Sequence, residues 1–282
     1  MSVLLKGTPA AAALDEQTAE RVEKLKAKGI IPCLAILRVG EDEGAISYER
    51  SAKKRCERVG IKVKEAVLPA DVTQEAIIDT VEALNRDKSV HGVLILRPLP
   101  KAIDEMAVCA ALDVKKDVDG VSQASMAKVY SGAGEGFIPC TAMSVMEILK
   151  YYNIDVSGKR AAVLGRSLVI GRPVAMLLMQ ADATVTLCHT KTGSIAETVR
   201  EADIVVIAVG KAESIGKECF RPGQVVIDVG TNWSESRQML VGDVRFDEAE
   251  TFVSAISPVP GGVGSMTTAV LASHVIKAIE NE

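Results

Sequence analysis

The feature that most constrains the fold of this chain is a repeated alternation between short apolar runs and longer amphipathic stretches. Gly92 to Leu96 (GVLIL) has the length and composition of a buried strand, and Lys62 to Leu68 alternates as a strand does. Asp15 to Lys28 and Thr73 to Arg86 have apolar side chains at helical spacing, with Thr73 as the expected N-cap of the second helix. The order strand, helix, strand, helix, strand predicts parallel strands, because a chain needs a long connection to return beside its neighbour in the same direction. The sequence therefore predicts an α/β fold.

A second β/α series begins near Lys159 and continues through a helix predicted over Gly171 to Gln180. The last segment, Met266 to Ile279, is amphipathic and is expected to pack back on the first domain. A length of 282 residues exceeds the usual size of one domain. We therefore predict two α/β domains, with the boundary near Ala142 to Ile148 and a return to the first domain near Ser265.

Composition and charge exclude several classes of function. The net charge is −4, and only 3% of the residues are aromatic, which argues against a nucleic-acid partner. No apolar stretch reaches transmembrane length, and the N-terminal residues turn acidic without forming a signal peptide, so no membrane partner is expected. The six cysteines form no CxxC pair, which favours reduced thiols and a cytoplasmic location.

A candidate phosphate site follows the first strand of the second series. The strand ends at Gly165-Arg166-Ser167, and a helix begins at Gly171. Backbone N–H groups in such a turn, together with a helix N-terminus, can bind a phosphate. Glycine turns between strands and helices are also common without any ligand, so this motif alone leaves a purely structural role open.

The cofactor is predicted from the end of the next strand, where His189 and Thr190 lie. A site specific for NAD usually carries an acid there, which binds the ribose 2′-hydroxyl. This chain has none, and with Arg166 nearby the pattern favours a 2′-phosphate and hence NADP. His189 also fits an ordinary loop histidine. Glycines end two later strands, at Gly210 and at Gly230, which precedes Thr231, and there a ligand can approach the backbone.

Three further segments carry candidate site residues, each with a plain structural alternative. Tyr48 stands among polar neighbours but fits a core position equally well. The segment 115–121 (KKDVDGV) fits a charged surface loop, and its acids are too few for a metal site. The segment 258–267 (PVPGGVGSMT) is either a rigid connector or a wall that contacts a ligand.

Taken together, several segments resemble one family. They are KDVDG (Lys116 to Gly120), FIPCT (Phe137 to Thr141), GRSxxxGxP (Gly165 to Pro173), ATVTLCH (Ala183 to His189), VIDVG (Val226 to Gly230), GDV (Gly242 to Val244) and PVPGGVG (Pro258 to Gly264). Their order is similar to that of the FolD family, the methylenetetrahydrofolate dehydrogenase/methenyltetrahydrofolate cyclohydrolases. The resemblance covers nearly the whole chain.

The resemblance implies a homodimer with two α/β domains and a cleft between them. The first is a catalytic, folate-binding domain over 1–143 plus 265–282, completed by the C-terminal helix, and the second is a Rossmann-type NADP-binding domain over 144–264. It implies that a tyrosine matching Tyr48 lines the site for tetrahydrofolate and that an aspartate matching Asp119 binds the pterin, both in the catalytic machinery. It also places the loop with Pro260, Gly261 and Gly262 beside the substrate.

The chain departs from the bifunctional members at two positions. They carry a lysine four residues after the tyrosine, where this chain has Ala52, and a glutamine where it has Leu96. Lys53 follows, but neighbouring helical residues point about 100° apart. Arg97 is a poor substitute because arginine does not readily lose its proton.

These two departures bear differently on the two reactions of the family. Hydride transfer from the methylene carbon needs positioning and a cofactor, whereas hydrolysis of the methenyl cation needs activated water and proton transfer. We therefore expect an NADP-dependent 5,10-methylenetetrahydrofolate dehydrogenase of one-carbon metabolism whose cyclohydrolase step is doubtful. The alternatives are the full bifunctional enzyme, with Lys53 or Lys54 recruited, and a non-catalytic regulator that binds folate or a dinucleotide.

Overall fold

The computed structural model describes residues 2–281, which divide into two compact units. The first unit contains residues 12–140 and 268–281, and the second contains 2–11 and 141–267. In chain order the helices of the described residues are α1 (Gly7–Ala27), α2 (Glu43–Val59), α3 (Gln74–Arg86), α4 (Glu105–Ala110), α5 (Gln123–Ser131), α6 (Cys140–Tyr151), α7 (Gly171–Gln180), α8 (Ile195–Glu201), α9 (Phe246–Ala249) and α10 (Thr267–Glu280). The strands are β1 (Val3–Leu4), β2 (Cys33–Val39), β3 (Lys62–Leu68), β4 (Gly92–Ile95), β5 (Arg160–Leu164), β6 (Thr184–Cys188), β7 (Ile204–Ile207), β8 (Val225–Asp228), β9 (Asn232–Ser234), β10 (Met239–Val241) and β11 (Ala255–Ile256).

The first unit is built on a parallel sheet with the strand order β3-β2-β4. The central strand β2 and its neighbour β4 are almost entirely buried, which explains their continuous apolar sequence. Side chains of α3, such as Ile77 and Val81, pack on this sheet with Ala35 and Val93. Polar residues that follow the carboxyl ends of β2 and β4 therefore lie on one edge of a rigid sheet.

The second unit carries a parallel sheet with the order β1-β11-β8-β7-β5-β6. The chain runs from β5 outward to β6 and then returns to place β7 on the other side of β5. Such a reversal creates a crevice at the carboxyl ends of the strands, where open α/β sheets bind ligands. The two-domain α/β prediction is confirmed.

Several predicted elements match the structure closely. β3 and α7 have the predicted bounds, and the Thr73 side chain caps α3 by accepting a hydrogen bond from the Ala76 N–H. Helix α1 begins at Gly7, eight residues before the predicted start at Asp15. The C-terminal helix runs from Thr267 to Glu280, and most of it groups with the first unit, as predicted.

The compact units differ from the predicted domains mainly at the N-terminus. The prediction assigns the first residues to the catalytic domain, whereas residues 2–11 group with the second unit. The reason is that β1 pairs in parallel with β11, Val3 opposite Ala255 and Leu4 opposite Ile256. The second unit also starts at 141 and ends at 267, rather than at 144 and 264.

No helix within residues 2–281 is long and apolar enough to cross a membrane.

Candidate active site

The second unit contains a cavity of about 430 Å³ at the crevice of its sheet. Its wall follows the carboxyl ends of three adjacent strands, β5, β7 and β6. The predicted residues Gly165, Arg166, Ser167, His189 and Thr190 all line it, together with Leu164, Cys188, Ile195, Ala208, Val209, Lys211, Ser214 and Ile215. The structure therefore brings together five of the residues predicted to bind the cofactor.

Glycine is required at both ends of the turn between β5 and α7. Gly165 has a φ of +114°, and a Cβ there would lie 2.1 Å from the Ala208 carbonyl oxygen. A Cβ on Gly171 would lie 1.9 Å from the Gly165 carbonyl oxygen. Between them the Ser167 hydroxyl accepts hydrogen bonds from the N–H groups of Ile170 and Gly171, at 3.2 and 3.4 Å. The glycines thus have a structural role in this turn.

The polar groups of the cavity suit an anion. Arg166 is exposed at its edge, Lys211 adds a second cation, and none of the residues that line it is acidic. The Nδ1 atom of His189 accepts a hydrogen bond from the Lys191 N–H at 3.0 Å, so a proton on the neutral ring lies on Nε2. The Thr190 hydroxyl is exposed beside it.

The buried Asp243 holds one wall of this cavity. Its carboxylate accepts hydrogen bonds from the N–H groups of Val209, Gly210 and Lys211 at 2.7 to 3.0 Å, and from the Asn232 amide at 2.9 Å. The predicted Gly210, with a φ of +67°, therefore lies in an anchored loop between two residues that line the cavity. Sequence reasoning missed Lys211 and the role of Asp243, because the hydrogen bonds that join them span about thirty residues of chain.

A smaller cavity of about 230 Å³ in the same unit is lined by the other predicted residues of this half of the chain. They are Gly230, Thr231, Pro260, Gly261 and Gly262. Asp228 lies at its wall, and its carboxylate accepts hydrogen bonds from the backbone of Gly230, Asp243 and Val244. Burial raises the pKa of Asp228 to about 7 against the effect of these donors.

Two glycines of the 258–265 loop, Gly261 and Gly262, are required by the local backbone. A Cβ on Gly262 would lie 2.4 Å from the Pro258 carbonyl oxygen, and Gly261 has a φ of +101°. The Gly7 N–H donates to the Gly261 carbonyl at 2.8 Å, and a Cβ on Gly7 would lie 2.0 Å from the Gly262 carbonyl oxygen. The loop is therefore a fixed wall of the smaller cavity, and the two predicted roles, rigid connector and ligand-contacting wall, are compatible.

The KDVDG segment of the first unit is not the plain surface loop that its composition suggests. The Lys116 ammonium is buried and donates to the carbonyls of Leu84, Asn85 and Asp87, at the C-terminal end of α3. Asp117 is fully buried. Its carboxylate accepts hydrogen bonds from the N–H groups of Val121 and Ser122 and from the Ser125 hydroxyl. These two charged residues hold the loop in place.

Asp119, two residues further, has a different environment. Its side chain is 20% exposed, and one carboxylate oxygen lies 3.9 Å from the Arg97 guanidinium, which comes directly after β4 and Leu96. Burial raises the pKa of Asp119 to about 6, and the positive charge of Arg97 opposes that rise. Asp119 is thus an accessible acceptor on a loop that its neighbours immobilise.

Helix α2 presents two different faces to its surroundings. Tyr48 is half-buried, and Ala52, one turn later on the same side, is 0% exposed. On the other side the Lys53 ammonium lies 2.6 Å from the carboxylates of both Glu49 and Glu65, which raise its pKa. Lys53 therefore stays protonated in an ion pair, away from the position of Ala52.

Within the described part of the chain, no group of three or more histidine, cysteine or acidic side chains could hold a metal ion.

Comparisons with known proteins agree on one family. Residues 5–119 match the model for the catalytic domain of tetrahydrofolate dehydrogenase/cyclohydrolase, and residues 139–282 match the model for its NAD(P)-binding domain. The chain is 47% identical over 281 residues to the bifunctional protein FolD of Carboxydothermus hydrogenoformans, covering 99% of this chain and 98% of the relative.

Solved structures give the same result. The bifunctional FolD enzyme of Campylobacter jejuni is similar with a TM-score of 0.97 and 39% identity, covering 100% of this chain and 99% of the other. The Trypanosoma brucei enzyme, solved with NADP and an inhibitor, is similar with a TM-score of 0.93 and 35% identity, over 99% and 98% of the two chains.

Proposed function

The chain belongs to the tetrahydrofolate dehydrogenase/cyclohydrolase family, as its motifs predicted, and we propose that it is an NADP-dependent 5,10-methylenetetrahydrofolate dehydrogenase that has lost the cyclohydrolase step. The observation that carries the dehydrogenase assignment is the cationic cavity at the ends of β5, β6 and β7. An anionic dinucleotide suits this cavity, since the cations Arg166 and Lys211 line it and none of its lining residues is acidic.

The lining residues divide the work of binding the cofactor. We assign the pyrophosphate to the turn of Gly165, Ser167 and Gly171, and the 2′-phosphate to Arg166, His189 and Thr190. Gly210, Gly230 and Thr231 follow the carboxyl ends of β7 and β8 and complete the path of the dinucleotide. When bound, NADP supplies a hydride acceptor at C4 of its nicotinamide ring.

On the folate side, Asp119 and Tyr48 position the substrate. An ionised carboxylate can accept two parallel hydrogen bonds from the amino-pyrimidinone edge of the pterin and so fix the orientation of the ring. Pro260, Gly261 and Gly262 provide backbone that a flat ring can approach closely. The methylene carbon loses a hydride and becomes the methenyl cation, whose charge the folate nitrogens share. No proton leaves the carbon, so this step needs no general base.

Hydrolysis of the methenyl cation is different because water must be activated and protons moved. Ala52 is completely buried and Leu96 is apolar and buried, so neither can take part in proton transfer. Lys53 is held by Glu49 and Glu65, which favour its protonated form. We infer that the chain has kept hydride transfer and lost the hydrolytic step.

The bifunctional enzyme remains the second candidate, because the relatives described above carry that name. In that case Lys53 or the exposed Lys54 would have to supply the water-activating group. A third candidate, a regulator that binds folate without catalysis, predicts no turnover at all. The family resemblance supports a homodimer with tetrahydrofolate as substrate. The six cysteines, none of which is bonded in a disulfide, support a location in the cytoplasm.

The test of the dehydrogenase assignment is NADPH formation from 5,10-methylenetetrahydrofolate by the purified protein. We expect turnover that depends on both substrates and that falls strongly in Asp119→Ala. Absence of any NADPH formation by a folded preparation that binds NADP would leave only the regulator.

A further inference from the structure

The structure assigns a role to Arg97: we propose that it is a positioning residue of the folate site, which keeps the Asp119 carboxylate ionised and oriented for the substrate. The inference rests on the proposed function, since it gives Asp119 the task of binding the pterin. It goes beyond that function because it explains how a carboxylate in a poorly solvated place stays charged.

The geometry places Arg97 between two acids. One guanidinium nitrogen lies 3.9 Å from an oxygen of Asp119, and another lies 3.3 Å from an oxygen of Glu105 at the start of α4. The other carboxylate oxygen of Glu105 accepts a hydrogen bond from the Leu99 N–H at 3.2 Å. Glu105 thus ties the guanidinium to the backbone just after β4, and the cation is held at a fixed distance from Asp119.

The remaining groups near Asp119 cannot replace this charge. Asp117 and Glu105 are acids and therefore disfavour a further negative charge. The Cys140 thiol is buried, and its pKa is raised well above its usual value, so it stays neutral; it hydrogen-bonds to the Asp119 carboxylate and favours its ionised form, but it brings no positive charge. His274 on α10 contacts the Val118 carbonyl at 2.9 Å, and burial lowers its pKa to about 4, so it is neutral too. Cys109 on α4 is buried, with a pKa raised to about 11.

Physical chemistry then fixes the direction of the effect. Burial favours the neutral carboxylic acid, and a cation within about 4–6 Å favours the carboxylate, lowering a pKa by roughly one to three units. Arginine suits this role because it remains charged at every pH at which the enzyme works, and it holds its proton throughout the reaction. The pKa of Asp119 stands at about 6 with Arg97 present, so the acid is ionised at neutral pH.

The experiment measures the ionisation of Asp119 directly and through activity. The carboxyl carbon of Asp119 is titrated by NMR in the substrate-free protein and assigned with Asp119→Asn. The pH profile of kcat/KM for methylenetetrahydrofolate is recorded at saturating NADP. Four variants are compared with the unmodified protein: Arg97→Leu, Arg97→Gln, Arg97→Lys and the control Arg86→Leu. Arg86 is an exposed arginine in the same unit, paired with Glu82 at 3.2 Å.

In Arg97→Leu and Arg97→Gln we expect the midpoint of the Asp119 NMR titration to move to higher pH by about one to three pH units. The acid limb of the pH profile of kcat/KM should move by the same amount. Arg97→Lys should keep most of the original midpoint, and Arg86→Leu should not move it. Arg97→Gln is closer in size to arginine and decides the question if the leucine variant fails to fold.

An unchanged NMR midpoint in a folded, neutral variant of Arg97 would overturn the proposal. An unmodified protein without dehydrogenase activity would overturn the proposed function instead. The NMR titration would still show whether Arg97 sets the charge of Asp119, so the two failures are distinguishable.

Discussion

The carboxylates of the two units are used in opposite ways. In the second unit, Asp243 and Asp228 are buried, and each accepts three or four hydrogen bonds, mostly from backbone N–H groups. In the first unit, Asp119 is partly exposed and faces a guanidinium at 3.9 Å, beyond hydrogen-bond distance. A saturated carboxylate builds a loop, whereas a carboxylate held mainly by a neighbouring charge keeps its acceptor capacity for a ligand.

The same contrast occurs within five residues of the KDVDG segment. Asp117 has three donors and is fully buried, and Asp119 has accessible oxygens. A mutation at Asp117 should therefore damage stability, and one at Asp119 should damage activity.

The largest effect is expected for Asp119→Ala. Loss of the charged acceptor leaves donors of the pterin ring unpaired, and we expect a loss of about 2–4 kcal/mol in transition-state stabilisation, measured as kcat/KM. The Tm should stay close to that of the unmodified protein. Asp79→Ala, an exposed aspartate on α3, is the control. Near-normal kcat/KM in the folded Asp119 variant would contradict the assignment.

A somewhat smaller effect, on stability, is expected for Asp117→Asn. The amide turns one acceptor into a donor that must face the N–H of either Val121 or Ser122, and we expect about 2–3 kcal/mol less free energy of unfolding. Urea unfolding measures this, with Asp113→Asn, an exposed aspartate of the same loop, as the control. Unchanged stability would show that the hydrogen bonds of Asp117 contribute little.

Asp243→Asn should affect both stability and cofactor binding. The new amide would face the N–H groups of Val209 and Gly210, so the loop that carries Lys211 should loosen, at a cost of about 1–3 kcal/mol. We expect a lower Tm and a higher KM for NADP, with little change in the KM for methylenetetrahydrofolate. Asp247→Asn, an exposed aspartate paired with Arg237, should change neither. A lower Tm with normal KM for NADP would separate Asp243 from the cofactor site.

The smallest of these effects is expected for Arg166→Ala. If the guanidinium binds the 2′-phosphate, its loss should weaken NADP binding by about 1–2 kcal/mol, measured as a higher KM for NADP. The KM for NAD should hardly change. Arg160→Ala, an exposed arginine paired with Glu201, controls for net charge. An equal change for both cofactors would show that Arg166 does not recognise the phosphate.

The parts of the fold that could be predicted are those encoded locally. Thr73 capped its helix as expected, and α7 had the predicted bounds, because periodicity and capping act within a few residues. The pairing of β1 with β11 was missed because strands of two residues have no periodicity. Lys116 and Asp117 were wrongly expected at the surface, since nothing in a charged pentapeptide reveals which charges find buried partners. The pairing of Arg97 with Asp119 depends on tertiary structure for the same reason.

In the candidate site, too, the features that could be predicted are those encoded locally in the sequence. The sequence motifs identified Gly165 and Arg166, and the structure brought them to one cavity with Ser167, His189 and Thr190. Their roles remain predictions. Asp228 and Asp243 belong to the sequence motifs VIDVG and GDV, but their role as loop anchors could not be predicted. Their hydrogen bonds join segments far apart in the chain.

The central claim, that hydride transfer is kept and hydrolysis is lost, is tested most directly by measuring both reactions on one preparation. General acid–base catalysis contributes roughly 10²–10⁴-fold, so its loss is easily measured. The bifunctional FolD of Carboxydothermus hydrogenoformans serves as the positive control. We predict robust NADPH formation from methylenetetrahydrofolate and hydrolysis of methenyltetrahydrofolate no faster than in buffer. Enzyme-dependent hydrolysis at a rate comparable to dehydrogenation would contradict the account and direct attention to Lys53 and Lys54.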